Sequence, residues 1–163
     1  MSDEASFEAF VSGLEGQLGG SEPDDKTLLG VLDTILGRFG CATGTIHKLD
    51  PASGLLTLRV QRGIPDAIMD RVRSIPIGKG MAGLAAQRRE PVQMCNLQTD
   101  DSGVAKPGAR LTQMEGSIAI PMLVDGAVRG TLGVAKPEPY EFGPQESEQL
   151  LHLAAQIGQR FAE

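Results

Sequence analysis

The sequence predicts an α+β fold: an antiparallel sheet of five to six strands combined with amphipathic helices, in the manner of an α/β sandwich. Three observations lead there. Asp125-Gly126, a strong two-residue hairpin signal, separates the strand-like runs Ser117 to Val124 and Ala127 to Lys136. Asp50-Pro51-Ala52-Ser53-Gly54 is a turn between Thr43 to Leu49 and Leu55 to Arg62, a second hairpin. Apolar stripes at spacing four, three, four mark a helix near each end, Phe7/Val11/Leu14/Leu18 and Leu150/Ala154/Ile157/Phe161. Strands joined by tight turns do not build βαβ units, so a doubly wound parallel sheet is not expected.

Taken in order, the first helix ends at Gly19-Gly20, and Ser21 or Asp24 caps the next. Leu28, Leu29, Leu32, Ile35, Leu36 and Phe39 give this second helix a wide apolar face suited to packing on a sheet. After the first hairpin, Gly63 to Asp66 breaks the chain and Ala67 to Val72 reads as one or two helical turns. Ile75 to Ile77 is a short apolar lead-in, Gly78-Lys79-Gly80 a tight turn, and Met81 to Arg89 a short helix stopped by Pro91. Val92 to Leu97 reads as a strand. Residues 98–115 are polar and turn-rich. Pro144 and Glu146 suit the first turn of the last helix.

Gly78-x-Gly80-x-x-Gly83 matches the dinucleotide fingerprint literally, and Asp100 sits where a ribose contact would be sought. The chemistry needs a buried parallel strand before those glycines. Here three residues with Pro76 in the middle stand in that place, so dinucleotide chemistry is not expected and Gly78-Lys79-Gly80 is read as a tight turn. A phosphate-binding P-loop is expected even less, since no Gly-Lys-Ser/Thr occurs.

At 163 residues one globular unit is expected, with roughly 70% of the unfolded surface buried. Aromatic residues make up 4% and Trp is absent, so the core must be aliphatic, with the six Met filling irregular gaps. The net charge of −6 gives no phosphate-neutralising excess, so neither nucleic acid nor an anionic membrane is an expected partner. No run of eighteen apolar residues and no signal peptide is read, and the expected location is cytoplasmic. Cys41 and Cys95 lack metal or redox spacing and read as buried, reduced thiols. Of the two histidines, His47 falls on a strand and His152 on the last helix, where it should face solvent. No metal site is expected from this set. Arg71, Arg73, Arg88 and Arg89 read as solvated surface.

Several stretches, in this order, resemble the GAF domain family. They are Thr45 to Asp50; Arg62-Gly63-Ile64-Pro65; Ile75 to Gly83 with Glu90-Pro91-Val92; Ser117 to Met122 with Val124-Asp125-Gly126; Gly130 to Val134; and Phe142-Gly143-Pro144. The resemblance divides the chain into an N-terminal amphipathic helix and break (residues 1–22) and a GAF domain (residues 23–163). It implies a twisted antiparallel sheet with helices on one face and a ligand pocket on the other, roofed by the short helices and the long loop.

The same resemblance constrains function. A bilin-binding GAF domain needs Cys followed by His, but Cys41 precedes Ala42 and Cys95 precedes Asn96. The Asn-Lys-x-x-x-Phe-x-x-x-Asp/Glu pattern of cyclic-nucleotide GAF domains is missing. Free methionine-(R)-sulfoxide reductases carry Cys where this chain has Ala82, and a second Cys in a loop matching Gly103 to Gly116, which has none. Without a correctly placed thiolate the reductase chemistry is not expected. No catalytic residue and no cofactor is therefore assigned.

The expected role is a bacterial sensory or regulatory module that binds a small molecule and signals through a homodimer or a partner protein. The alternative is a dimerisation scaffold with a vestigial pocket; a reductase-like enzyme comes third. Candidate pocket residues are His47, Met69, Met81, Met94, Cys95, Arg110 and Met114, suited to a partly apolar ligand with an anionic or amide group. Gln98 to Gly116 is expected to act as a lid. The candidate dimer interface is Phe7, Val11, Leu14 and Leu18 with Leu150, Ala154, Ile157 and Phe161, paired between protomers as a four-helix bundle.

Overall fold

The protein is described here by a computed structural model covering residues 3–96 and 114–161. Helix α1 spans Asp3–Leu18 and ends on Gly19 in a left-handed conformation, φ 74°. Helix α2, Asp25–Phe39, starts where the Asp24 carboxylate accepts the Thr27 N–H at 2.8 Å, satisfying one of the first-turn donors. It stops at Gly40, φ 67°, whose N–H bonds back to Leu36.

Strands β1 (Thr43–Asp50) and β2 (Leu55–Arg62) follow, then a 3-10 turn at Asp66–Ile68, α3 (Met69–Arg73) and the edge strand β3 (Ser74–Pro76). Helix α4 (Gly80–Arg88), strand β4 (Val92–Met94), the long pair β5 (Gly116–Val124) and β6 (Ala127–Lys136), and helix α5 (Pro144–Gly158) complete the order. Strand β4 is shorter than its apolar run suggests.

The six strands lie in the order β3-β2-β1-β6-β5-β4, each antiparallel to its neighbours. The β5–β6 turn needs positive φ at both central residues, and Asp125 (52°) and Gly126 (80°) supply it. Strand β2 carries a bulge: Ile46 pairs with Val60 but His47 with Leu58, leaving Arg59 between the two registers. Arg59 turns to the helix side, where its guanidinium bonds to Asp25 at 3.0 Å and to the Pro23 carbonyl at 3.1 Å. It thereby fastens the break before α2 to the sheet.

Alternation along the strands gives the sheet two unlike faces. On the first, Ile46, Val60, Ile118, Ile120, Met122, Leu132 and Val134 pack with α2 and α5 into one buried apolar cluster. Helix α1 lies outside these two helices and joins the same cluster through Val11, Leu14 and Leu18. Thus helices form two layers on this side. On the second face, α3 packs on β2 and β3, while α4 packs on β3, β4, β5 and β6.

The glycines of the literal dinucleotide motif serve this second face. Gly78 (φ 91°) and Gly80 (φ 64°) make the turn into α4. A Cβ on Gly83 would stand 2.5 Å from the Pro76 carbonyl oxygen, and the Gly78 N–H bonds to the Gly83 carbonyl at 2.8 Å. The motif is a fastening of α4 onto β3, in a sheet with no parallel strand pair among the described residues.

Candidate functional site

The second face is where polar groups are buried without partners. His47 on β1 and Thr131 on β6 are directly paired across the two strands, and each is 1% exposed. Residues opposite one another in an antiparallel pair project to the same side. Ile46 and Leu132 take the first face, so His47 and Thr131 take the second.

The His47 ring is fixed from α3. Its Nε2 lies 2.6 Å from the Val72 carbonyl oxygen, which can only accept, so Nε2 carries the proton and donates. Burial holds the His47 pKa below its ordinary value; the Val72 bond opposes that shift and is the lesser influence. The ring is therefore neutral at pH 7, with Nδ1 bearing a lone pair. Among the described residues neither Nδ1 nor the Thr131 hydroxyl oxygen has a hydrogen-bond partner, although both atoms are buried. An unsatisfied buried polar atom costs about 1–3 kcal/mol, and here two stand side by side.

Close backbone packing sets their position. Gly130 faces the His47 carbonyl oxygen so closely that a Cβ would collide with it, and a Cβ on Gly133 would meet Thr45 Oγ1 at 2.8 Å. Strand β6 can approach β1 this tightly only because Gly130 and Gly133 lack side chains. The strand order places β1 and β6 at the centre of the sheet, between the strands α3 covers and the outer strands that α4 also reaches. The His47/Thr131 pair thus lies on the face that carries the two short helices, with α3 on the neighbouring β2 and α4 on β6.

Beside it, Met81 and Leu84 of α4 pack on Ala85, Val92 and Ala119, a small apolar cluster separate from the main core. Among the predicted pocket residues, His47 and Met81 occupy this face. Met94 also belongs there, because it pairs with Ser117 one alternation from Val92 and Ala119. Met69 opens α3 and is half-buried, as is Met114 just before β5. Cys95 lies beyond the end of β4 and is exposed, not buried as the sequence suggested, because the strand that would have covered it stops at Met94. Arg110, and most of the predicted lid, fall outside the described residues.

Thr131 was not among the sequence candidates. Its signal was its phase within Gly130-Thr131-Leu132-Gly133-Val134, opposite to Leu132 and Val134. The pairing with His47 is set by a contact between distant strands, which no local pattern announces.

The predicted dimer stripes have a different destination. Val11, Leu14, Leu18, Leu150, Ala154, Ile157 and Phe161 are buried in the protein's own core, and half-buried Phe7 packs against it. The four-three-four spacing on both helices records packing within one chain. What the two helices leave outside is a groove of about 650 Å³ lined by Phe7, Glu8, Val11, Ser12, Gln145, Glu148, Gln149 and His152. His152 is exposed as expected and meets the Phe7 ring edge-on at 6.1 Å.

The thiols hold no reductase geometry on α4. Ala82 is half-buried there, while Cys41 follows α2, where burial pushes its thiol up to about 11. Such a thiol is protonated at neutral pH and a poor nucleophile. Among the described residues no group of His, Cys, Asp and Glu could hold a metal ion, and no helix is long and apolar enough to cross a membrane. Arg71, Arg73, Arg88 and Arg89 are exposed, and Arg73 pairs with Asp70 at 3.1 Å.

Solved structures share this architecture. The GAF domain of an Acinetobacter phosphoenolpyruvate-protein phosphotransferase superposes with a TM-score of 0.77 at 19% identity, over 98% of this chain and 94% of that one. The free methionine-R-sulfoxide reductase of Neisseria meningitidis, in complex with its substrate, gives 0.77 at 20% identity, over 99% and 92%. The nlh2 GAF domain of A. aeolicus, in an inactive state, gives 0.72 at 21% identity, over 96% of each chain. Identities this low carry the fold alone. No curated protein is a significant match to the sequence. A family model described as GAF domain matches residues 22–162, and the chain belongs to the GAF domain family.

Proposed function

We propose that this GAF domain is a non-catalytic sensory module that binds a small molecule on the second face of its sheet, beneath α3 and α4. The observation that carries this reading is the pair of buried, unpartnered polar atoms, His47 Nδ1 and Thr131 Oγ1, set beside apolar side chains of α4. A few placed polar groups within an apolar wall are the usual make-up of a small-molecule site. The solved relatives include GAF domains, a GAF sensor protein of Burkholderia vietnamiensis and a reductase. What argues against the reductase here is Ala82 in place of a thiol and the depth of Cys41. Output would pass to a second copy or a signalling partner through the α1–α5 side, where the groove floored by Phe7 and Val11 remains after the helices have packed.

The test is a thermal-shift screen of amides, amino acids, nucleobases and organic acids, with native mass spectrometry of freshly purified protein. A ligand at a hundred times its dissociation constant adds about 2.7 kcal/mol, a rise in Tm of roughly 5–10 °C for a chain of this size. If nothing co-purifies and no compound moves Tm, the sensor reading fails and the scaffold reading replaces it. Turnover of free methionine sulfoxide by the purified protein would overturn the non-catalytic part.

A further inference from the structure

Building on the sensor reading, we infer that the His47/Thr131 pair recognises a neutral amide edge, an N–H beside a C=O, as found in a carboxamide, a lactam or a nucleobase. The tautomer decides the chemistry. The Nε2 proton is committed to the Val72 carbonyl, so the face turned away from α3 offers only the Nδ1 lone pair, which accepts and cannot donate. The Thr131 hydroxyl one strand away can donate. An amide edge answers both groups at once, its N–H donating to Nδ1 and its carbonyl accepting from Oγ1. Cross-strand partners stand with Cβ atoms about 4.5–5.5 Å apart, a spacing that one planar amide group can bridge.

A carboxylate answers only the hydroxyl and sets its charge against the Nδ1 lone pair. Among the described residues, Arg71, Arg73, Arg88 and Arg89 are all exposed and bring no buried cation to it. An ester lacks the donor altogether. The anionic ligand class left open by the sequence is thereby disfavoured at this pair, and the amide class is selected.

The experiment uses two matched sets of probes: acetamide, methyl acetate and acetate; nicotinamide, methyl nicotinate and nicotinate. Each is titrated into protein carrying 15N-labelled histidine and 15N-labelled backbone amides. The two histidines are told apart because His152 is exposed and His47 is buried. The amides are expected to move the His47 Nδ1 resonance toward its protonated position, with shifts in β1, β6 and α4. The ester and the carboxylate are expected to bind about tenfold weaker or worse, the effect of leaving Nδ1 unpaired. Thr131→Val, which keeps the shape and removes the hydroxyl, should weaken every probe while the amide preference set by Nδ1 persists, and Thr131→Ser should retain both.

Equal or tighter binding of the carboxylates on this face overturns the amide inference and leaves the sensor reading standing. The inference is also overturned if no probe perturbs the face. The same holds if crystals grown with nicotinamide show a single ordered water bridging Nδ1 and Oγ1 instead. The broader thermal-shift screen then judges the sensor reading separately.

Discussion

The two faces of this sheet are built from alternate residues of the same strands, yet they obey different rules. Ile46 and Leu132 are neighbours in register and point into a sealed aliphatic core; His47 and Thr131, one residue along each strand, are equally buried and carry polar atoms without partners. Burial is the same on both sides, so burial alone does not separate core from site. Satisfaction does: among the described residues no buried polar side-chain atom of the first face is left unpaired, whereas the second keeps a hydrogen-bonding deficit that a packed core would not tolerate.

The contrast is most easily broken on the first face. Leu132→Ala opens a cavity in the main cluster and should cost about 2–5 kcal/mol in urea or guanidinium unfolding. A cost under about 1 kcal/mol would mean that this face is less tightly packed than described. Gly83→Ala should come next, at about 1–3 kcal/mol, because the added Cβ meets the Pro76 carbonyl and pushes α4 off β3. The same change at exposed Gly16, which has nothing near its Cβ position, should be neutral or stabilising and serves as the control.

Thr131→Val sharpens the comparison through its sign. It removes a buried hydroxyl that makes no hydrogen bond, so the ligand-free protein should gain stability, by up to about 1 kcal/mol. Ile120→Thr, the reverse change on the first face, should lose stability by unfolding measurement. If both variants are destabilised alike, the two faces do not differ as claimed.

The smallest expected effect is a slope with pH. The folded pKa of His47 lies below its unfolded value, so the unfolded chain binds more protons near and below pH 6.5. Stability should therefore be full above that pH and decline as pH falls through it toward the lower folded value. His47→Gln should lose this component of the slope while the carboxylate components persist. An unchanged slope would show that the ring is not held neutral.

Much of the scaffold could be read before folding, because it rests on local chemistry. The Asp125-Gly126 turn, the Asp24 cap, Gly40 after α2 and Pro144 at the start of α5 each satisfy a backbone requirement within a few residues. The second face was only half legible. His47 and Met81 stood out by residue type and element, but Thr131 became significant only through a pairing of strands far apart in sequence. The stripes on α1 and α5 carry a related ambiguity. An apolar stripe says that something covers it, and here the cover is α2, α5 and the sheet of the same chain. The tautomer of His47 was equally hidden, since it depends on a carbonyl of α3, Val72, arriving over β1, and its neutral state depends on how deeply the fold buries the ring.

The most direct measurement is a crystal structure of the protein bound to the compound that raises Tm most. The account predicts that compound on the second face, under α3 and α4, within hydrogen-bonding distance of His47 Nδ1 and Thr131 Oγ1. A compound seated in the α1–α5 groove, with the second face closed by the protein's own side chains, would contradict it.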